Sequence, residues 1–189
     1  MSRLAAPPGV HLGGWHPLQS FASRGAGVVP VPPYCVALDG DEPAVRAGRA
    51  LATATGHPAV EVRGEAKAAY HAAAVLASNT LVALEAAAVR VMVSAGVAPD
   101  DAWRLLRPLV HGTLDNVQDG AFHKALTGPL ARGDTETVRR NLAACADVDG
   151  VELIYRALGR EAVRLAELGE ASRDALLEVL KEDDRDATG

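Results

Sequence analysis

Cysteine is scarce in this 189-residue chain, and basic charge is not in excess. The two cysteines, Cys35 and Cys145, lie far apart, which excludes a disulfide framework and makes a reducing cytoplasm the default location. Asp and Glu outnumber Lys and Arg 24 to 19, for a net charge of −5. With no basic stripe, that balance argues against a nucleic-acid binder or a polybasic membrane-surface protein. No uninterrupted apolar run reaches the length of a bilayer span, and Met1-Ser2-Arg3-Leu4 leading to Pro7-Pro8-Gly9 does not read as a signal peptide. Several chemical signatures are missing as well: G-x-G-x-x-G, the Walker loop, HxxxH, CxxC and G-x-S-x-G. Dinucleotide cradling by a glycine loop, a structural zinc site and an α/β-hydrolase elbow therefore find no support. Gly13-Gly14 is followed by Trp15-His16-Pro17, which does not present a helix N-terminus to a phosphate. What the chain does have is an ordinary globular apolar fraction of 49%, so wholesale disorder is excluded.

Composition divides the chain. Eight of the eleven prolines precede residue 60, and that part reads as short strands and loops. Val10-His11-Leu12 is the first expected strand and Tyr34–Leu38 the second, closed by Asp39-Gly40-Asp41. Pro43 suits the first turn of a helix with Val45, Leu51 and Ala52 on its apolar side. Gly56 ends that helix, and Ala59–Val62 is the third strand, so strand, helix and strand follow the order of a parallel βαβ unit. Beyond Gly64 the chain reads helical. Residues 65–95 hold no Gly and no Pro, which predicts one helix about 45 Å long at roughly 1.5 Å per residue. A second helix is expected from Pro99, kinked or ended by Pro108, then a loop from Gly120 to Gly133. A third is capped by Asp134, a fourth runs over Val151–Leu168, and a short last helix follows Ser172. The tail Glu182–Asp186 reads as frayed and solvated. The expected fold class is mostly α: a piece of α/β sheet at residues 1–63, a helical domain at 64–170, and a C-terminal helix with acidic tail at 171–189.

Three polar clusters stand out. His16-Pro17-Leu18-Gln19-Ser20-Phe21 follows an expected strand, at the place where open α/β sheets bind ligands; it reads equally as a proline turn with a surface His. On the long helix, spacings of four and eight residues set His71 and Asn79 on the face of Lys67, with Ser78 close by. Polar groups in an Ala/Leu/Val helix cost free energy unless paired or wet, so this face either lines a cleft or satisfies its neighbours in a bundle. Thr127-Gly128-Pro129-Leu130-Ala131-Arg132-Gly133-Asp134 shapes a tight connection in which Arg132 can fork onto an anion or simply pair at the surface. Asn116 is a weaker feature of the same kind.

Taken in order, His16–Phe21, Tyr70–Asn79 and Ala125–Pro129 with Ala131–Asp134 resemble the Rossmann-like proteins that carry the domain of unknown function 2520. The resemblance spans about Pro8 to Ala166. It implies an architecture similar to ketopantoate and pyrroline-5-carboxylate reductases: a dinucleotide-binding domain followed by a helical domain like that of 6-phosphogluconate dehydrogenase. It also implies that the Gly-rich loop and most of the Rossmann sheet lie outside this chain. The activity then expected is NAD(P)-dependent reduction of a carbonyl or imine in a small, acidic substrate, with NADP or NAD as cofactor of the whole family protein. His71 is the expected general acid, at the position of a helix Lys in the related reductases, with Asn79 a catalytic partner. Ser78, His16, Gln19, Asn116 and Arg132 are expected to bind substrate. A homodimer through the helical domain is expected, without nucleic-acid or membrane partners. The alternative is a non-catalytic dimerisation or scaffold fragment.

Overall fold

The computed structural model describes residues 6–20, 33–117 and 120–181. Phe21 and the acidic tail from Glu182 lie outside the described residues. The chain is mostly helical, with one small sheet, and packs as two compact units, Met1–Val82 and Ala83–Gly189.

The first unit is built on three strands in the order β1 (Gly13–Leu18), β2 (Cys35–Gly40), β3 (Ala59–Glu61). Helix α1 (Glu42–Ala54) joins β2 to β3, and these two strands are parallel. Local chemistry sets the limits of α1. Asp41 caps it by accepting from the Ala44 amide at 3.0 Å, Pro43 sits in its first turn, and Gly56 follows with φ of 76°. The expected first strand at Val10–Leu12 is displaced, because the observed β1 starts at Gly13 and pairs antiparallel with β2. His16 therefore lies within a strand rather than after its carboxyl end. The Gly-Gly and Pro17 that read as turn are accommodated because β1 is an edge strand of the described sheet.

Pairing in register gives the sheet two unlike faces, because opposed residues share a face and successive ones alternate. Trp15, Val36 and Leu38 fall on one face and pack with Val45 and Ala52 of α1 as the core of this unit. The Trp15 indole Nε1 donates to the Gly48 carbonyl at 3.3 Å. Gly48 leaves room in this core, since a Cβ there would stand 2.9 Å from Leu38 Cδ2 and 3.4 Å from Trp15 Cδ1. His16, Ala37 and Asp39 fall on the other face. Leu18 and Val60 flank it, 42% and 60% exposed.

The single long helix expected over residues 65–95 is interrupted. A 3₁₀ turn at Gly64–Ala66 leads into α2 (Lys67–Ala77), and α3 (Asn79–Ser94) follows after Ser78, whose φ and ψ of −125° and −71° leave the helical region. By length and composition the stretch Gly64–Ser94 is long and apolar enough to cross a bilayer.

In the second unit, α4 (Pro99–Asp115) continues past Pro108, which does not end it. The expected loop at Gly120–Gly133 instead contains two short helices, α5 (Phe122–Ala125) and α6 (Gly128–Arg132). Helix α7 (Thr135–Ala146) is capped by Asp134 as its sequence predicts, with the Thr137 amide donating at 3.0 Å. Helices α8 (Val151–Leu165) and α9 (Glu170–Val179) complete the unit. Val138 and Leu142 of α7, Val163 of α8, and Leu176 and Leu180 form its main core.

Candidate functional site

The second sheet face of the first unit collects polar side chains. Asp39 ends β2, and the turn after β3 brings the start of α2 over it. Lys67 Nζ donates to Asp39 Oδ2 at 3.2 Å. One turn further along α2, the Tyr70 hydroxyl meets His16 Nδ1 at 2.7 Å, with the rings edge-on at 85° and centroids 5.8 Å apart. Residues 67 and 70 are helical neighbours, so the two bridges from sheet to helix stand side by side. Burial pushes the Tyr70 phenol above its usual pKa. His16 is exposed to water. The result is an open shelf with a fixed phenol, a wet imidazole and an ion pair, edged by the apolar Leu18 and Val60.

The expected site residues divide between the units. His16, Gln19, His71, Ser78 and Asn79 belong to the first. His16 does face α2, and the residue it meets there is Tyr70, immediately before His71. His71 is exposed on the same stretch of helix. Gln19 follows β1, and its Oε1 accepts from the Ser20 amide at 3.0 Å. Ser78 stands at the break between α2 and α3, and Asn79 opens α3. The 3.6-residue spacing that set Asn79 on the face of His71 therefore does not run through the junction.

Asn116 and Arg132 belong to the second unit. Asn116 joins Leu109, Thr113 and Thr127 around an open cleft of about 430 Å³ between α4 and the α5–α6 segment. Arg132 is exposed at the end of α6, just before Gly133 at φ of 74°. The Thr137 amide holds the Asp134 carboxyl below its usual pKa, helped by the Thr137 hydroxyl and by the charge of Arg132. A smaller depression of about 250 Å³ borders Arg156, whose guanidinium donates to Glu152 and to the carbonyls of Val179 and Lys181. Arg156 thereby ties the end of α9 to α8 and is occupied by structure.

Sequence reading missed Tyr70 and Asp39 as members of the site. Asp39 looked like part of a turn signal, and Tyr70 finds His16 across 54 residues, which no local spacing reveals.

No group of three or more His, Cys, Asp or Glu side chains is disposed to hold a metal ion among the described residues. Among the described residues, no glycines form a cradle for a dinucleotide pyrophosphate. Gly13 is closed off, since a Cβ there would stand 2.8 Å from Ala44 Cβ, and the positive-φ glycines are scattered singly rather than forming a phosphate loop.

Two solved structures share this architecture. The protein TM1727 from Thermotoga maritima is 26% identical with a TM-score of 0.68, over 82% of this chain and 61% of its own. BF3122 from Bacteroides fragilis, named as a proposed NADP oxidoreductase, is 21% identical with a TM-score of 0.63, over 81% of this chain and 57% of its own. This chain thus spans about three-fifths of the length of these relatives. No protein of curated function matches it. The model of the domain of unknown function DUF2520 matches residues 34–162, from just before β2 to within α8. That match covers most of the chain, and the protein belongs to the DUF2520 family.

Proposed function

We propose that this chain is the substrate-handling, C-terminal part of an NAD(P)-dependent oxidoreductase that reduces a carbonyl or imine in a small acidic molecule. The observation that carries the reading is the hydrogen-bonded His16–Tyr70 pair on an open sheet face, in a fold shared with a proposed NADP oxidoreductase. Reduction of a polar double bond needs a proton delivered to the heteroatom, and phenols and imidazoles do this work. NADP or NAD is proposed as the cofactor of the longer family protein. His71, Ser78, Asn79 and Gln19 are proposed to orient substrate on the first unit; the substrate-binding roles proposed for Asn116 and Arg132 concern the second unit by itself. Arg132 has the geometry for a carboxylate fork, which Lys cannot reproduce. The proposed location is the cytoplasm.

The test begins with the gene. An in-frame G-x-G-x-x-G following an apolar stretch upstream of Met1, and micromolar NADPH binding by the longer protein but not by this chain, are the expected results. Absence of both would overturn the reading. In the longer protein, Arg132→Lys is expected to raise KM for an acidic substrate about tenfold while leaving Tm nearly unchanged. Unchanged kinetics with a lowered Tm would make Arg132 a structural residue.

A second reading has its own observation. Leu76 and Val82 are 67% and 70% exposed on the Ala-rich stretch Gly64–Ser94. Large apolar side chains left this exposed are candidates for an association surface. We therefore also propose a homodimer through the helical part of the chain, with or without catalysis. Sedimentation velocity showing a dimer that binds no NADPH in any longer form would favour the scaffold role.

A further inference from the structure

His16 and Tyr70 are brought together from different elements, β1 and α2, at a separation that fits one hydrogen bond with no room for slack. The edge-on ring geometry fixes the direction of the phenol as well as its distance. Two features make the pair unsymmetrical. The phenol is half-buried and the imidazole is exposed, so only His16 can exchange protons freely with water. The other charged and titratable groups of the shelf, Lys67, Asp39 and His71, flank the pair, and Lys67 is already bonded to Asp39.

We propose that Tyr70 is the residue that gives a proton to the heteroatom of a carbonyl or imine ligand on this shelf, and that His16 is the positioning residue that aims the phenol and returns its proton. This rests on the oxidoreductase reading. In the working arrangement Nδ1–H of His16 donates to Tyr70 Oη, which leaves the phenol's own O–H free to point at the ligand. As the double bond is reduced, its heteroatom gains an electron pair. The Tyr70 O–H bond breaks, its electrons stay on Oη, and the new O–H or N–H bond forms on the ligand. The exposed Nε2 of His16 takes a proton from water as Nδ1 passes its own to Oη, and exchange with water returns the neutral ring to its Nδ1-protonated form. The opposite arrangement, with Tyr70 donating to Nδ1, would make the pair only a tie between helix and sheet.

The two arrangements differ in a measurement that needs no cofactor. In this chain labelled with ¹⁵N-histidine and ¹³C-tyrosine, long-range proton–nitrogen NMR reads which nitrogen of neutral His16 is protonated. Protonated Nδ1 is the expected result. Pyruvate, carrying one carbonyl and one carboxylate, is the probe, and it is expected to shift the Tyr70 ¹³Cζ resonance saturably. Tyr70→Phe is expected to weaken pyruvate binding about tenfold, whereas His123→Gln, at an exposed position on α5 of the second unit, leaves it unchanged. His16→Asn, which keeps a donor near the Nδ1 position, is expected to preserve the Tyr70 response that His16→Leu abolishes. Neutral His16 protonated on Nε2 and accepting from Tyr70 in the free protein, or pyruvate binding kept in Tyr70→Phe, would overturn the proposal. Either result would leave the oxidoreductase reading standing. Conversely, failure of the longer protein to bind NADPH would strike that reading without moving these resonances.

Discussion

At the start of α1, the Asp41 carboxylate accepts from the Ala44 amide, the Leu12 amide and His11, and the Ala44 bond is the foremost reason its pKa lies below the usual carboxylate range. Asp134 does the same for α7 through Thr137. A carboxyl whose folded pKa is depressed binds its proton more weakly than in the unfolded chain. It therefore contributes stability above the ordinary carboxylate pKa of about 4 and loses that contribution as pH falls through the folded value. Urea melts are expected to show the Asp41→Asn and Asp134→Asn proteins less stable than the parent at pH 7 and converging with it near pH 3. A constant gap across that range would show that the two charges do not matter to folding. Gly159 gives a different kind of prediction. A Cβ there would stand 2.7 Å from Leu180 Cδ2, against the α9 end of the core. Gly159→Ala is expected to lower stability by roughly 1–3 kcal/mol despite the gain in helix propensity, as read from denaturant midpoints.

Elements whose limits are chosen locally were legible in the sequence, and those chosen by pairing were not. Pro43 and Gly56 bracket α1, and Asp134 starts α7, because each residue acts on backbone within a few positions of itself. Strand β1 is different. Gly13, Gly14 and Pro17 have no strand preference of their own, and only the ladder to β2 makes them one. The same holds for the shelf. His16 was legible as a polar residue near a strand, while its partner Tyr70 depended on how α2 lies over the sheet. Pro108 shows propensity overruled in α4, which continues past a residue that lacks an amide donor. Pro108→Ala restores that donor at an exposed position and is expected to raise the Tm of the second unit by several degrees. An unchanged or lower Tm would mean that α4 is shaped around the proline. As Pro108 also lines the α4 cleft, crystal structures of both forms would show whether the 430 Å³ volume survives.

For the whole molecule, a net charge of −5 stands against an apolar helix surface. Raising ionic strength screens the like charge that keeps copies apart, so association is expected to strengthen with salt. The double substitution Leu76→Glu and Val82→Glu is expected to shift the sedimenting species towards monomer without changing far-ultraviolet circular dichroism. A dimer unaffected by both changes would place the contact elsewhere. The division of the chain into two units also distributes its two tryptophans, one to each. Trp15 is held against the α1 backbone by its bond to Gly48, whereas Trp103 on α4 is 41% exposed. The two indoles therefore see different solvents, and their fluorescence is expected to differ in colour. Trp103→Phe leaves a lamp that reports only on the sheet and its shelf, and Trp15→Phe one that reports only on the helical unit. With these two variants, whether the halves of the molecule melt together or in turn becomes a question of comparing two emission curves.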